Sequence, residues 1–219
     1  MLPENYGAKI YEEEVQQVKL RCRIMKVKQI FSAYDFIKSN NVLDNLNYCS
    51  RCGEKCIIRE EGGRKRSICS ACEFVHYKNP YPAVSVLVAD NDLVLLGRRA
   101  PGTFLAGQWC LPCGYIEFDE DFITAGMREV KEETGLDIAV GSVINVCSNY
   151  LAPNLHSLVI VLLAQAVGGE LCPGDDIDSL RWFKMAGTLP QMAFSADIHI
   201  IERFHRTQIN GLQIDFDFI

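Results

Sequence analysis

Glu129, Glu132 and Glu133 are the residues whose types and spacing most directly suggest chemistry. Positions i, i+3 and i+4 share one face of a helix, so three carboxylates would stand together. Like charges placed this way repel, by roughly a few tenths of a kcal/mol per pair. An ordinary solvated helix would interleave Lys or Arg at i+4, yet Arg128 and Lys131 fall at other angles from most of the cluster. A divalent cation between the carboxylates removes the conflict. Hard oxygen ligands suit Mg²⁺ or Mn²⁺, and such ions commonly complete their shell with substrate phosphates. The segment therefore points to phosphoryl or pyrophosphoryl chemistry.

The elements around it must hold those carboxylates still. Residues 119–134 read as a helix, with Asp119 as its cap, Glu120 and Asp121 at its positive end, and Gly135 closing it in a left-handed turn. The β-rich run Ala83 to Ala89 and the run Leu93 to Gly97 flank Asp90-Asn91-Asp92, which reads as a hairpin turn. Further strands are expected at 142–149, 156–167, 180–184 and 212–218, and a second helix from Ser195 to Arg206. Before them, residues 1–45 read as a helical extension, in which Val15, Val18, Cys22 and Met25 share a face.

Cys49-x-x-Cys52 and Cys69-x-x-Cys72 are separated by the sixteen residues 53–68. Paired C-x-x-C knuckles at that separation are a zinc signature. Each knuckle turns two thiolates toward one ion, and two knuckles complete a tetrahedron with no position left for water, so Zn²⁺ here would be structural. Cys56 and His76 lie near but are surplus to a filled tetrahedron. Cys110-x-x-Cys113 could signal thiol redox chemistry, but no βαβ start accompanies it. The expected domains are thus a helical extension at 1–45, a zinc ribbon at 46–79 and an α/β domain at 80–219.

Composition narrows the function classes. The 219 residues are 48% hydrophobic and 23% charged, in the globular range. No apolar run approaches the roughly 20 residues of a membrane-spanning helix. Ten cysteines without a secretory leader suggest a reducing compartment, so the cytoplasm is expected. A net charge of −6 disfavours nucleic acid as a partner, although six basic residues between Cys49 and Cys72 keep a local patch in view. A small-molecule nucleotide substrate is the expected partner, with no membrane; the sequence leaves a homodimer open.

Gly114, Glu120, Arg128, Glu129, Val130, Glu132, Glu133, Gly135 and Leu136 also satisfy every fixed position of a 23-residue pattern, G-x5-E-x7-R-E-U-x-E-E-x-G-U, where U is a bulky aliphatic residue. The chain therefore resembles the Nudix hydrolases. Trp109-x-Leu111-Pro112 is similar to their usual lead into this box. The zinc ribbon followed by Tyr77-x-Asn79-Pro80 resembles a subgroup that includes NADH and FAD pyrophosphatases. The resemblance covers about residues 48–219. Where NADH pyrophosphatases carry a Ser-Gln-Pro-Trp-type motif, this chain reads Asn149-Tyr150-Leu151-Ala152-Pro153. Met192-Ala193-Phe194-Ser195 instead looks like the FAD and ADP-ribose branch. Cys113 stands where the family usually has a small residue.

The resemblance implies an α/β (α+β) fold, an α/β/α sandwich on a mixed sheet. It implies a hydrolase that cuts FAD or ADP-ribose into AMP plus FMN or ribose 5-phosphate. The alternatives are an NADH or NAD pyrophosphatase, or a non-catalytic ligand sensor with a zinc-ribbon binding module. In the roles it implies, Glu129, Glu132, Glu133 and the Gly114 carbonyl hold Mg²⁺ or Mn²⁺. Arg128 orients Glu129 and pairs with Glu120. The general base lies outside the box, with Glu170, Asp175, Asp176 and Asp178 as candidates. Arg98 and Arg99 are candidates for phosphate contact, and Tyr81, Phe104, Trp109, Tyr115, Tyr150 and Phe194 for stacking on a base or flavin.

Overall fold

The computed structural model describes residues 29–32 and 46–214. The helical stripe expected from Val15 to Met25 lies outside them. Within the expected helical extension, the described residues form a strand instead, β1 (Ile30–Ser32). It pairs in parallel with β8 (Leu136–Ala152), and Phe31 is 1% exposed in the main core. A three-residue strand carries too little periodicity to be read from sequence; docking onto an existing edge creates it.

β2 (Cys56–Glu61) and β3 (Arg64–Cys69) form a separate two-stranded hairpin, turned by Gly62 and Gly63 at positive φ. Then come β4 (Tyr81–Asp90), β5 (Leu93–Arg99) and two short strands, β6 (Trp109–Cys110) and β7 (Cys113–Tyr115). β9 (Leu155–Gly169), β10 (Ile177–Lys184) and β11 (Leu212–Gln213) complete the set. The main sheet runs β1-β8-β9-β4-β5-β10, with β6 added to β5, β7 to β4 and β11 to β8. The β1–β8 and β4–β9 pairs are parallel and the others antiparallel, so the sheet is mixed.

Among the described residues, two helices cover the sheet's faces, α1 (Phe122–Thr134) and α2 (Ser195–Thr207). Strand alternation divides the core between them. Leu87, Val94 and Leu96 join the cluster containing Ala196, Ile200 and Phe204 of α2. Val86, Val88 and Leu95 join the cluster containing Val130 of α1. Burial on both faces explains why Ala83 to Ala89 is a continuous apolar run rather than an alternating one.

Two local expectations shift. Asp121, not Asp119, caps α1: its carboxylate accepts the amides of Ile123 at 2.7 Å and Thr124 at 3.0 Å. β8 begins at Leu136, six residues before the expected strand, because the chain enters the sheet directly from the left-handed Gly135 (φ 75°).

Candidate active site

The box helix is seated by a glycine. Gly126 faces Leu162 and Val86 so closely that a Cβ would lie 2.6 Å from the Leu162 side chain. With α1 pressed onto the sheet, Glu129 and Glu133 fall on its buried side together with Gly126 and Val130. Glu129 is 8% exposed and Glu133 is 1% exposed. The third carboxylate of the expected face, Glu132, is half exposed.

A strap of chain faces those carboxylates. Residues 109–115 form β6, a two-residue link and β7. The Cys113 amide donates to Glu133 at 3.1 Å. At Gly114 a Cβ would overlap the Glu129 carboxylate, so only glycine lets strap and helix close to this distance. Burial pushes the Glu133 carboxyl well up, reinforced by Cys110, Asp176 and Glu129 and opposed by the Cys113 amide. Burial also raises Glu129, with Arg128 opposing. Burial thus opposes the charged form of both, even with Arg128 at Glu129 and the Cys113 amide at Glu133.

Arg128 is more central than its helical angle suggests. Its guanidinium folds back along α1 and holds Glu120 through two hydrogen bonds, at 3.0 and 2.5 Å. It also donates to Glu129 at 2.8 Å, Glu132 at 3.0 Å and the Tyr115 carbonyl at 3.1 Å. Hydrogen bonding to Arg128 lowers the Glu120 carboxyl below its usual range. Lys131 turns away, to Asp137 at 2.8 Å and the Gly135 carbonyl at 3.1 Å.

The loop after β9 brings two of the four candidate bases to this face. Asp175 acts electrostatically on Glu129, and Asp176 on Glu133. Asp176 is tied to Arg99 at 2.5 Å, and Asp178 to Arg98 at 2.7 Å, so both arginines are engaged in ion pairs. Of the candidate aromatics, Tyr81 and Tyr115 pair at 5.6 Å, each half exposed, and Tyr115 directly follows Gly114. Trp109 packs edge-on against Phe183 at 5.0 Å as part of the core. Phe194 lies beneath Arg99, and Tyr150 packs on His156. Phe104 is exposed.

Asp197 also belongs to this site. It is 4% exposed in the first turn of α2 and accepts the Leu111 amide at 3.0 Å. No motif marks it; only the sequence-distant contact reveals it.

The donor chemistry fits Mg²⁺ or Mn²⁺: the carboxylates are hard, two of them are buried, and the backbone of Gly114 comes so close to Glu129 that a Cβ would overlap its carboxylate. The thiols fit Zn²⁺ more tightly. Among the described residues, Cys49, Cys52, Cys69 and Cys72 have ligand atoms all within 4.8 Å of one another. Their Sγ separations include 3.4, 3.5 and 3.8 Å. A tetrahedron with Zn–S of about 2.3 Å has edges of about 3.8 Å. The amides of Arg51, Ala71 and Cys72 point at the sulfurs of Cys49 and Cys69, as knuckle turns require. Cys56 pairs with Cys69 across the hairpin and is outside the cluster.

A family model described as the NUDIX domain matches residues 79–204. The chain belongs to the Nudix family. The match begins just before β4 and includes the box helix, the strap and most of α2. Relatives include the NAD-capped RNA hydrolase NudC of Stutzerimonas stutzeri, 34% identical over 62% of this chain and 47% of that protein. The ADP-ribose pyrophosphatase of Methanocaldococcus jannaschii is 36% identical over 54% of this chain and 69% of its own length. This Nudix chain spans about half the length of the NudC relative. A solved Nudix hydrolase from Nitrosomonas europaea superposes with a TM-score of 0.65 at 26% identity, covering 76% of this chain and 94% of that one. Among the described residues, no helix is long and apolar enough to cross a membrane.

Proposed function

We propose that this Nudix chain hydrolyses the pyrophosphate bond of a nucleoside diphosphate linked to a second group. ADP-ribose or FAD comes first, giving AMP plus ribose 5-phosphate or FMN. The observation that carries this reading is the pair of buried glutamates, Glu129 and Glu133, facing a glycine strap that leaves no room for a side chain. A divalent cation between them would offset the cost of burying two carboxylates on one face. The relative named ADP-ribose pyrophosphatase supports the first choice of substrate.

In this reading Glu129, Glu132, Glu133 and the Gly114 carbonyl hold Mg²⁺ or Mn²⁺. Bound there, such an ion screens the diphosphate's charge and acidifies a water molecule. Arg128 fixes Glu129 and Glu132 from the helix side and Glu120 from the loop side, so the face keeps its shape when substrate arrives. Asp175 takes the proton from water: it is exposed beside Glu129, whereas Asp176 and Asp178 are tied to arginines. The half-exposed pair Tyr81 and Tyr115, adjoining Gly114, offers the nucleobase a stacking surface. Zn²⁺ on the four cysteines is structural, within a ribbon at 46–79 that precedes the Nudix domain at 80–219.

NAD-linked substrates form a second reading, carried by the NudC relatives. Their names also weaken the charge-based expectation against nucleic acid. A chromatographic product assay with Mg²⁺ tests the choice, comparing kcat/KM for ADP-ribose, FAD, NADH and a nucleoside triphosphate. ADP-ribose or FAD should lead. A preference of about tenfold or more for NADH, near 1.4 kcal/mol in the transition state, replaces the first reading with the second. No turnover of any of them moves the ligand-sensor reading to first place.

A further inference from the structure

The strap that carries Gly114 is held at both ends by buried carboxylates from different helices. On the α1 side, Glu133 accepts the Cys113 amide at 3.1 Å. On the α2 side, Asp197 accepts the Leu111 amide at 3.0 Å. Between them the Pro112 carbonyl accepts the Val86 amide of β4 at 2.8 Å. Just upstream, Trp109 is clamped to the segment before α2, through its amide to Gln191 at 2.9 Å and its carbonyl to Ala193 at 2.7 Å. Leu111 is fully buried, so its amide has no water to fall back on.

A carboxylate is an expensive choice for this task. A buried amide can be satisfied by a neutral acceptor, and burying Asp197 pushes its pKa up to about 7 despite the opposing Leu111 amide and the nearby Arg99 guanidinium. Cys113 and Cys147 lie within its electrostatic reach. Asp197 is 86 residues from Leu111 along the chain; α2 brings it there by packing Ala196, Ile200 and Ile201 into the core. Its position leaves only Pro112 and Cys113 between the amide it holds and Gly114.

We propose that Asp197 is a positioning residue for the hydrolytic site: by holding the Leu111 amide it sets the strap, and so sets the Gly114 carbonyl and the Cys113 amide against Glu129 and Glu133. The inference deepens the proposed hydrolase reading and rests on it. Asp197 does not touch substrate. It acts through residues 111–114, so its loss should weaken cation binding and turnover while leaving substrate binding by more distant groups intact. Groups acting one step behind a metal ligand typically change affinity or rate by about 10- to 100-fold when removed.

The experiment compares wild type, Asp197→Ala and Asp197→Asn in the full, zinc-loaded chain. Mn²⁺ binding is read by calorimetry, and kcat and KM are read with ADP-ribose. In Asp197→Ala the Kd for Mn²⁺ should rise and kcat should fall, each by about tenfold or more, with KM for ADP-ribose within about twofold. Asp197→Asn keeps an oxygen acceptor and should stay within about threefold of wild type in both. Unchanged Mn²⁺ affinity and kcat in a folded Asp197→Ala overturn the proposal. If Asp197→Ala does not fold, Asp197→Asn decides: a tenfold loss there overturns it, because the acceptor is still present. Absence of turnover in wild type would overturn the hydrolase reading instead, and the Mn²⁺ titrations would still test the positioning role.

Discussion

At the residue scale, charge and shape at Glu133, Gly114 and Asp197 separate cleanly. Glu133→Gln preserves shape but removes a buried charge next to the Cys113 amide. Turnover should fall by at least ~100-fold, because charge compensation in the transition state is worth several kcal/mol. Glu117→Gln, on an exposed loop position, should leave kcat within about twofold in the same steady-state assay. Gly114→Ala probes space alone. The added methyl would displace the end of a flexible side chain, Glu129, rather than backbone. Activity should therefore collapse while denaturant stability changes by no more than about 1 kcal/mol. Asp197 makes a pH prediction. Its folded-state pKa of about 7 exceeds its ordinary 3.8 because of burial. Between those values the native state holds a proton that the unfolded chain has released, so this group lowers stability as pH rises through that window. Asn cannot ionise. The Tm of Asp197→Asn relative to wild type should rise between pH 5 and 7.5, by roughly 3–8 °C; a flat difference would mean the carboxyl titrates normally.

At the element scale, the turn that ends α1 and the ribbon that precedes β4 are each decided by a few residues. Gly135 has φ 75°, and a Cβ there would overlap the Glu170 backbone carbonyl. Backbone cannot step aside as the Glu129 side chain can. Gly135→Ala should therefore cost about 2 kcal/mol or more in urea denaturation, through left-handed strain plus the clash. For the ribbon, purified protein should carry close to one equivalent of zinc. Cys69→Ser should lose it and loosen the β2–β3 hairpin, whose few buried residues, Ser67, Ile68 and Cys69, give it little core of its own. Metal analysis with limited proteolysis checks both, and undiminished zinc in that variant would remove the four-cysteine assignment.

At the scale of the whole molecule, the chain before the ribbon contributes to the fold after it. β1 lies on the β8 edge, and Phe31 is buried with Leu87, Val161 and Ile201, its ring against His199 of α2 at 5.4 Å. Phe31→Ala should destabilise the Nudix domain by about 3–5 kcal/mol in chemical denaturation, with zinc content unchanged. An effect confined to local order near residue 31 would mean that β1 is an accessory strand.

The sequence by itself determined the box helix, its carboxylates and its glycine stop, because helical spacing, charge pattern and fixed positions all fall within residues 114–136. It likewise determined the paired thiols, whose chemistry is local to two knuckles, and the β4–β5 hairpin, whose apolar runs and Asn91 turn are contiguous. Tertiary structure decided what those local signals leave open. It split Glu129 and Glu133 from the half-exposed Glu132, because the close seat at Gly126 fixes which side of α1 meets the strap. It turned Arg128 onto three carboxylates, a reach set by side-chain length rather than helical angle. It also placed β1 on the β8 edge and Asp197 under Leu111. Those contacts join residues far apart in the chain, and no periodicity encodes a partner that only packing supplies.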